Sequence, residues 1–375
     1  MSKLKLMTIL GTRPEIIRLS AVIKKADKVF NHVLVHTGQN YDYELNEIFF
    51  KELQIRKPDY FLSVAGKHLG ETMGGILAKS YEVIDKEKPD AVLILGDTNS
   101  ALSAISAKRL KVPVFHMEAG NRCWDWNVSE MINRRVVDSI ADINLPYTEN
   151  SRLYLIEEGI DPKTIFVTGS PMAEVLKMYK ENIEKSDVLL RLNLKSGKFI
   201  LVSSHREENI DQEHNFNNLM NAINEIAEHY QLPIIYSVHP RSKKWIEKRN
   251  FKFHPLVQQL KPLGFFDYNK LQTEAFCVLS DSGTLSEESA MLNFPGVLIR
   301  NSTERPEALD SGSVVIGGIK TVDIIRSIQL ALALKDEKIA LNKDYLSYNV
   351  SSKVVKIIQS YTSIVNITTW LKRDW

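Results

Sequence analysis

Short apolar runs separated by longer stretches of helical period set the strongest constraint on how this chain can fold. Leu4–Leu10, Val33–His36, Ala91–Leu95, Val114–His116, Ile143–Leu145 and Ile165–Val167 are rich in Val, Ile and Leu, and amphipathic segments such as Glu15–Lys25, Glu71–Lys86 and Ser100–Leu110 lie between them. A run that is apolar on both faces must be covered on both faces, which is the βαβα order of a parallel, doubly wound sheet. The pattern breaks at Thr168-Gly169-Ser170-Pro171, two turn formers and a proline, and then starts again. The second half is expected to place strands at Phe199–Ser203, Ile234–Val238, Gly264–Phe266, Cys277–Leu279 and Val297–Ile299, with helices such as Phe216–Tyr230 and Leu285–Leu292. We therefore expect an α/β chain of two doubly wound, Rossmann-like domains, residues 1–170 and 171–353, whose strand C-termini face a central cleft. The amphipathic segment Val354–Trp370 is expected to form a C-terminal helix, within residues 354–375, that packs back on the first domain.

Composition closes off several function classes. Lys and Arg number 48 against 46 Asp and Glu, a formal charge of +2 with no block of like charges, so neither nucleic acid nor an anionic membrane is expected as a partner. An anion must be bound locally. Cys123 and Cys277 are the only cysteines, too few for a disulfide framework or a structural zinc site, which fits a reducing cytoplasm. The apolar run at the N-terminus is too short for a signal peptide, and no run approaches the roughly 18 apolar residues of a membrane span, so a cytoplasmic location is expected.

The polar residues concentrate where strands should end. Gly11-Thr12-Arg13-Pro14-Glu15 follows the first strand: the glycine permits a tight turn, the proline suits a first helical turn, and free amides beside Arg13 offer an anion site or an ordinary βα turn. The three-glycine spacing of a dinucleotide fingerprint is absent. Asp97 follows the strand Ala91–Leu95, where it would either cap the next helix or act chemically. Glu118 and Arg122 follow Val114–His116, and Glu130 opens a helix that carries Arg134 one turn later on the same face. Glu130 alone is equally well explained by the helix dipole. Three carboxylates from three strand-end loops are harder to explain so, because clustered carboxylates push their proton affinities apart and let one act as base and another as acid.

In the second half, His205-Arg206 and His239-Pro240-Arg241 each end a strand, and His with Arg suits a phosphate. Asp281-Ser282-Gly283-Thr284 leads into a helix whose exposed amides suit a diphosphate, with Glu288 one turn on to accept from ribose hydroxyls. Arg305 follows the strand Val297–Ile299.

Taken together these segments, with His116-Met117-Glu118-Ala119-Gly120, Glu287-Glu288 and Thr303-Glu304-Arg305-Pro306-Glu307, resemble the non-hydrolysing UDP-N-acetylglucosamine 2-epimerase family, in the same order and over nearly the whole chain. The resemblance implies the two-domain GT-B architecture, a UDP-activated N-acetyl amino sugar as ligand, no organic cofactor, no metal, and a homodimer. Within the family, Glu118-Ala119-Gly120-Asn121-Arg122-Cys123, the short loop to Glu130 and Ser204-His205-Arg206-Glu207-Glu208-Asn209 are similar to a capsule and O-antigen branch that inverts C2 of UDP-2-acetamido-2,6-dideoxy-L-talose. By resemblance, Asp97, Glu118 and Glu130 are acid/base candidates and His205 bonds the leaving diphosphate. Arg13, Arg18, Arg206, His239, Ser282, Gly283, Glu288 and Arg305 would bind UDP, Tyr268 would stack on uracil, and Arg122 and Arg134 would orient carboxylates or hold phosphate.

Several positions depart from the family pattern. Arg18 stands where lysine is common, Ser129 and Met131 where the branch has proline and a second glutamate, and Trp126 lies in the variable loop. Gln39-Asn40-Tyr41-Asp42 replaces the Gln-His-Arg run of an activator site, so no activation by UDP-GlcNAc is expected. Three other readings fit parts of the pattern: an epimerase of UDP-GlcNAc, a UDP-sugar glycosyltransferase on the same scaffold, and a UDP-sugar sensor.

Overall fold

A computed structural model describes residues 3–39, 43–124, 126, 128, 130–301, 303–337 and 342–372. Asn40, Tyr41, Asp42 and Ser129 lie outside the described residues, and with them the expectations attached to the activator run and to Ser129. The chain forms two compact units, one of Met1–Met178 with Lys343–Trp375, the other of Tyr179–Asn342.

In the first unit β1 (Lys5–Leu10), β2 (Asn31–His36), β3 (Tyr60–Phe61), β4 (Ala91–Leu95), β5 (Val114–Met117) and β6 (Ile143–Leu145) form a parallel sheet in the order β3-β2-β1-β4-β5-β6. Its helices up to the unit boundary are α1 (Arg13–Val29), α2 (Tyr43–Glu52), α3 (Leu69–Glu87), α4 (Ser103–Arg109), α5 (Glu130–Ile140), α6 (Glu149–Glu157) and α7 (Met172–Met178). Every residue of β4, β5 and β6 is buried, as expected of strands covered on both faces. Met7, Ile9, Val33, Val35, Val92, Ile94 and Val114 make one core with Ile76, Ile84, Ala104 and Val137 from the helices. Burying such a side chain is worth roughly 1.5–3 kcal/mol.

The second unit repeats the plan. Its strands β7 (Ile200–Ser204), β8 (Ile234–Val238), β9 (Val257–Leu260), β10 (Cys277–Ser280), β11 (Gly296–Leu298) and β12 (Val315–Ile316) are ordered β12-β11-β10-β7-β8-β9, all parallel. Interleaved are α8 (Lys180–Glu184), α9 (Val188–Arg191), α10 (Glu207–Ile210), α11 (Glu213–Tyr230), α12 (Pro240–Lys248), α13 (Phe265–Glu274), α14 (Leu285–Leu292), α15 (Pro306–Asp310) and α16 (Thr321–Ala333). The final helix, α17 (Val350–Thr368), lies against α1 in the first unit.

Both sheets have the doubly wound order in which the winding reverses between two central strands, β1 and β4 in one and β7 and β10 in the other. Ligand sites of such sheets lie outside the carboxyl ends of those strands. Two expected strands are corrected. Gly264–Phe266 is the start of α13, with Gly264 in the extended N-cap position, and the edge strand is β9 instead. Ile165–Val167 contributes one isolated bridge, Asn144 to Ile165. The units divide at Met178 and Lys343 rather than at 170 and 354, because α7 packs on α1 and Glu174 of α7 binds the start of α17 through Ser351.

Candidate active site

Asp97 and Glu118 stand at the carboxyl ends of β4 and β5. Both preceding turns use left-handed backbone: Gly96 has φ 74°, and Glu118 itself has φ 62°, a conformation that costs a non-glycine residue about 1–2 kcal/mol. Such strain persists only where neighbours over-determine it. Here Arg134 on α5 does so, donating from Nη1 to the Glu118 carbonyl while Nη2 bonds Asp97 and lies 3.4 Å from Glu118 Oε1. Arg18 of α1 pairs with Glu118 Oε2, Asn121 Nδ2 donates to Oε1 at 3.3 Å, and the Tyr147 hydroxyl is 3.5 Å from Oε2. Asn133 of α5 donates to the Asp97 carbonyl at 3.0 Å. Glu130, half-buried, opens α5 one turn before Arg134. The result is a buried carboxylate, Glu118, and a more accessible one, Asp97, on one guanidinium.

Behind this turn, buried Asp138 accepts the Gly120 N–H at 3.2 Å and faces His116 Nδ1 at 2.9 Å and Arg122 Nη1 at 2.8 Å. Burial pushes the Asp138 carboxyl up, but the His116 hydrogen bond and the charges of His116, Arg122 and Arg134 more than offset it and hold the group below its ordinary value. Arg122 is also paired with Glu158, by Nε at 2.9 Å and Nη2 at 2.5 Å. The structure therefore does not bring Arg122 onto Asp97 or Glu118; it places it among the anions that brace the turn.

Between β1 and α1, Thr12 is the N-cap and Pro14 occupies the first turn. Glu15, three residues after the N-cap, accepts the Gly11 N–H at 3.1 Å and the Thr12 hydroxyl at 2.7 Å on Oε2, while the Thr12 side chain itself caps no helix amide. Arg13 lies over the Phe49 ring, 5.9 Å from its centroid.

In the second unit Asp281, fully buried after β10, is the hub. It accepts from the Ser204 hydroxyl (3.0 Å), the backbone amides of His205 and Arg206 (3.0 Å each) and Asn209 Nδ2 (3.2 Å). Burial pushes its carboxyl up, but His205, Arg206 and these amides overcome it, so the pKa is lowered. The His205 and His239 rings are 5.4 Å apart, and His239 caps α12 by accepting the Arg241 N–H at 3.2 Å. Arg206 pairs with Glu304 at 3.4 Å, and a Cβ on Gly283 would stand 3.5 Å from the same carboxylate. Ser282 precedes α14, its hydroxyl 2.9 Å from that of Thr284. Glu288 receives Gln272 Nε2 at 2.6 Å, and buried Arg305 pairs with Glu287 at 2.8 Å. Tyr268 has its ring against the core that contains Leu201 and Leu271 and its hydroxyl 2.8 Å from Ser203 Oγ; burial raises its pKa.

Sequence reading left Glu15, Asn121, Tyr147, Asp138, Gln272 and Asp281 without roles. Glu15 and Asp281 stood inside quoted motifs at strand ends, which was signal enough; the others act across distances that no spacing reveals. Among the described residues no group of three or more His, Cys, Asp or Glu is arranged to hold a metal, and no helix is long and apolar enough to cross a membrane.

Fold and site define a doubly wound α/β protein with two carboxylates, Asp97 and Glu118, held on one guanidinium at adjacent strand ends. Residues 23–359 match the UDP-N-acetylglucosamine 2-epimerase family. The chain is 45% identical to a UDP-N-acetylglucosamine 2-epimerase from Rickettsia bellii whose structure superposes with a TM-score of 0.92, covering 99% of this chain and 100% of that one. It is 33% identical to the Methanocaldococcus jannaschii UDP-GlcNAc 2-epimerase solved in complex with UDP-GlcNAc and UDP, with a TM-score of 0.89 over 95% of this chain and 100% of that one. A UDP-2,3-diacetamido-2,3-dideoxy-D-glucuronate 2-epimerase of Pseudomonas aeruginosa is 34% identical over 334 residues, 88% of this chain and 92% of that one. The chain belongs to the UDP-N-acetylglucosamine 2-epimerase family and is an isomerase.

Proposed function

We propose that the protein is a UDP-N-acetyl-L-fucosamine synthase, inverting C2 of UDP-2-acetamido-2,6-dideoxy-L-talose for capsule or O-antigen synthesis. On this reading it works as a cytoplasmic homodimer without metal or organic cofactor. The bridging of Asp97 and Glu118 by Arg134 carries the mechanistic part. The C2 hydrogen of a nucleotide sugar has no adjacent carbonyl and is not acidic, so direct deprotonation faces a prohibitive barrier. Elimination avoids it: a carboxylate takes the C2 proton, the C–H electron pair forms the C1=C2 bond, and the C1–O electrons leave with UDP. A carboxylic acid then delivers a proton to the other face of C2, and the UDP oxygen re-adds at C1.

That scheme needs acid–base groups in unlike environments, and Asp97, Glu118 and Glu130 supply them. Arg13, Arg18, His205, Arg206, His239, Ser282, Gly283, Glu288 and Arg305 hold UDP and stabilise the charge that builds on its leaving oxygen. The segment from Glu118 to Cys123 and that from Ser204 to Asn209 support the 6-deoxy-L-sugar. The two UDP-GlcNAc epimerases described above support a second reading, interconversion of UDP-GlcNAc and UDP-ManNAc. The test is deuterium incorporation at C2 in heavy water, followed by NMR and mass spectrometry with each substrate separately. Exchange with the L-talose compound alone is expected; exchange with UDP-GlcNAc alone moves the assignment to the second reading, and exchange with neither removes both.

A further inference from the structure

Glu15 is almost wholly buried, at 1% exposure, in the turn that presents Arg13 and leads to Arg18. Its bonds to Gly11 and Thr12 use only Oε2. Oε1 is buried with no hydrogen-bond partner, and so is the hydroxyl of Thr98, the residue after Asp97. Thr98 lies near enough to Glu15 to favour its carboxylate. A carboxylate in a first helical turn is ordinarily exposed and charged; this one lies inside an anion-binding turn, where a second negative charge opposes a phosphate.

We propose that Glu15 is a proton-linked positioning residue of the diphosphate site, holding a proton on Oε1 more tightly when a UDP-sugar is bound than when the site is empty. This rests on the UDP reading above. The protonated oxygen donates toward Thr98, joining the β1–α1 turn to the Asp97 loop, while Oε2 keeps both of its bonds within the turn. Burial raises the Glu15 pKa to about 7, against smaller opposing contributions from Thr12, Gly11 and Thr98, so the empty site titrates in the working range of the enzyme. A bound diphosphate raises the proton affinity further.

The other titratable groups around α1 are committed elsewhere or exposed. Arg18 is paired with Glu118 and Asp97 with Arg134, while burial lowers the His36 pKa to about 4 and keeps that ring neutral. His32 pairs with Asp27, Lys5 with Glu87, Glu174 binds Ser351, and Lys353 donates to the Thr168 carbonyl. Arg13 and Glu52 are half-buried, and Glu47, Lys51, Lys177 and Lys356 are exposed.

The experiment is calorimetric titration of the full-length protein with UDP-GlcNAc and, separately, with UDP-2-acetamido-2,6-dideoxy-L-talose, whose diphosphates do not themselves titrate near neutrality, in two buffers of different ionisation enthalpy. At pH 8 we expect uptake of about half a proton or more per site, falling toward zero at pH 5.5, with Kd weakening about three- to tenfold from pH 6.5 to 8.5. Glu15→Gln should bind without proton uptake and without that pH dependence. Binding by the native protein with no uptake, or equal uptake in Glu15→Gln, overturns the proposal while leaving the UDP reading intact. Failure of both UDP-sugars to bind at any pH overturns both. The native protein's pH series decides the matter even if the variant does not fold.

Discussion

Arg134 Nη2 lies 3.4 Å from Glu118 Oε1 while it also bonds Asp97, so a single cation on α5 sets the spacing of two carboxylates from different strand ends. Arg134→Ala should therefore damage chemistry more than binding. We expect kcat for C2 exchange to fall by roughly 10²-fold or more with a smaller change in KM, and stability to fall by about 3–5 kcal/mol because buried Glu118 loses a partner. Arg134→Lys should recover part of the stability but little of kcat, since an ammonium cannot serve the Glu118 carbonyl and both carboxylates in the same planar geometry. Steady-state kinetics with thermal melts checks both.

Asp281 organises the second unit through acceptors alone. Asn at that position turns an NH2 group toward donors, so Asp281→Asn should weaken UDP binding about tenfold and cost roughly 2–3 kcal/mol. The native pKa is lowered by His205 and Arg206 against the opposing effect of burial. The stabilisation from the ionised group is thus present above the unfolded value of about 3.9 and lost as pH falls through the folded one. Denaturant melts should show the largest gap between native and variant proteins at neutral pH and a closing gap below about pH 4.

Glu15 has the opposite sign. Its folded pKa is raised from 4.5 to about 7 by burial, so the folded state binds more protons than the unfolded one between those values. Stability is favoured below pH 4.5 and declines as pH rises through about 7. Glu15→Gln cannot ionise and keeps an amide oxygen for the turn; it should match the native protein near pH 5 and exceed it by up to about 3 kcal/mol at pH 8. Equal melting curves at pH 8 would remove the assignment of a buried, titrating carboxyl.

The sheets were legible because their central strands bury both faces. Val92, Leu93 and Ile94 carry no polar residue to interrupt the run, and their length separates them from the helices around them. Edges were not legible for the converse reason. Tyr60–Phe61 and Val315–Ile316 are two residues long, and β9 carries Gln258 and Gln259 outward on a strand with one neighbour. Gly264-Phe265-Phe266 read as a strand because two aromatics fit a pleated face equally well; the glycine ahead of them is the N-cap of α13. At the candidate site, the sequence pattern was enough to place Asp97, Glu118 and His205 at strand ends, but not to find the partners of Arg122, since Asp138 and Glu158 reach it from α5 and from the end of α6.

Gly120 and Gly159 both have positive φ, 79° and 89°, yet only one has space around it. A Cβ on Gly120 would stand 2.3 Å from the Ser151 carbonyl oxygen and 2.9 Å from Leu155 Cγ, whereas a Cβ on Gly159 would meet nothing within 4 Å. Gly159→Ala should therefore cost only the backbone strain, about 1–2 kcal/mol, seen as a drop of a few degrees in Tm with C2 exchange unchanged. Gly120→Ala must move α6 or the turn itself, and the Gly120 N–H then leaves Asp138, which braces the strained Glu118. We expect loss of at least several kcal/mol, with kcat falling in whatever fraction remains folded. If Gly120→Ala kept native exchange rates at a lowered Tm, Glu118 would not depend on this brace, and its left-handed backbone would have to be held by Arg134 alone.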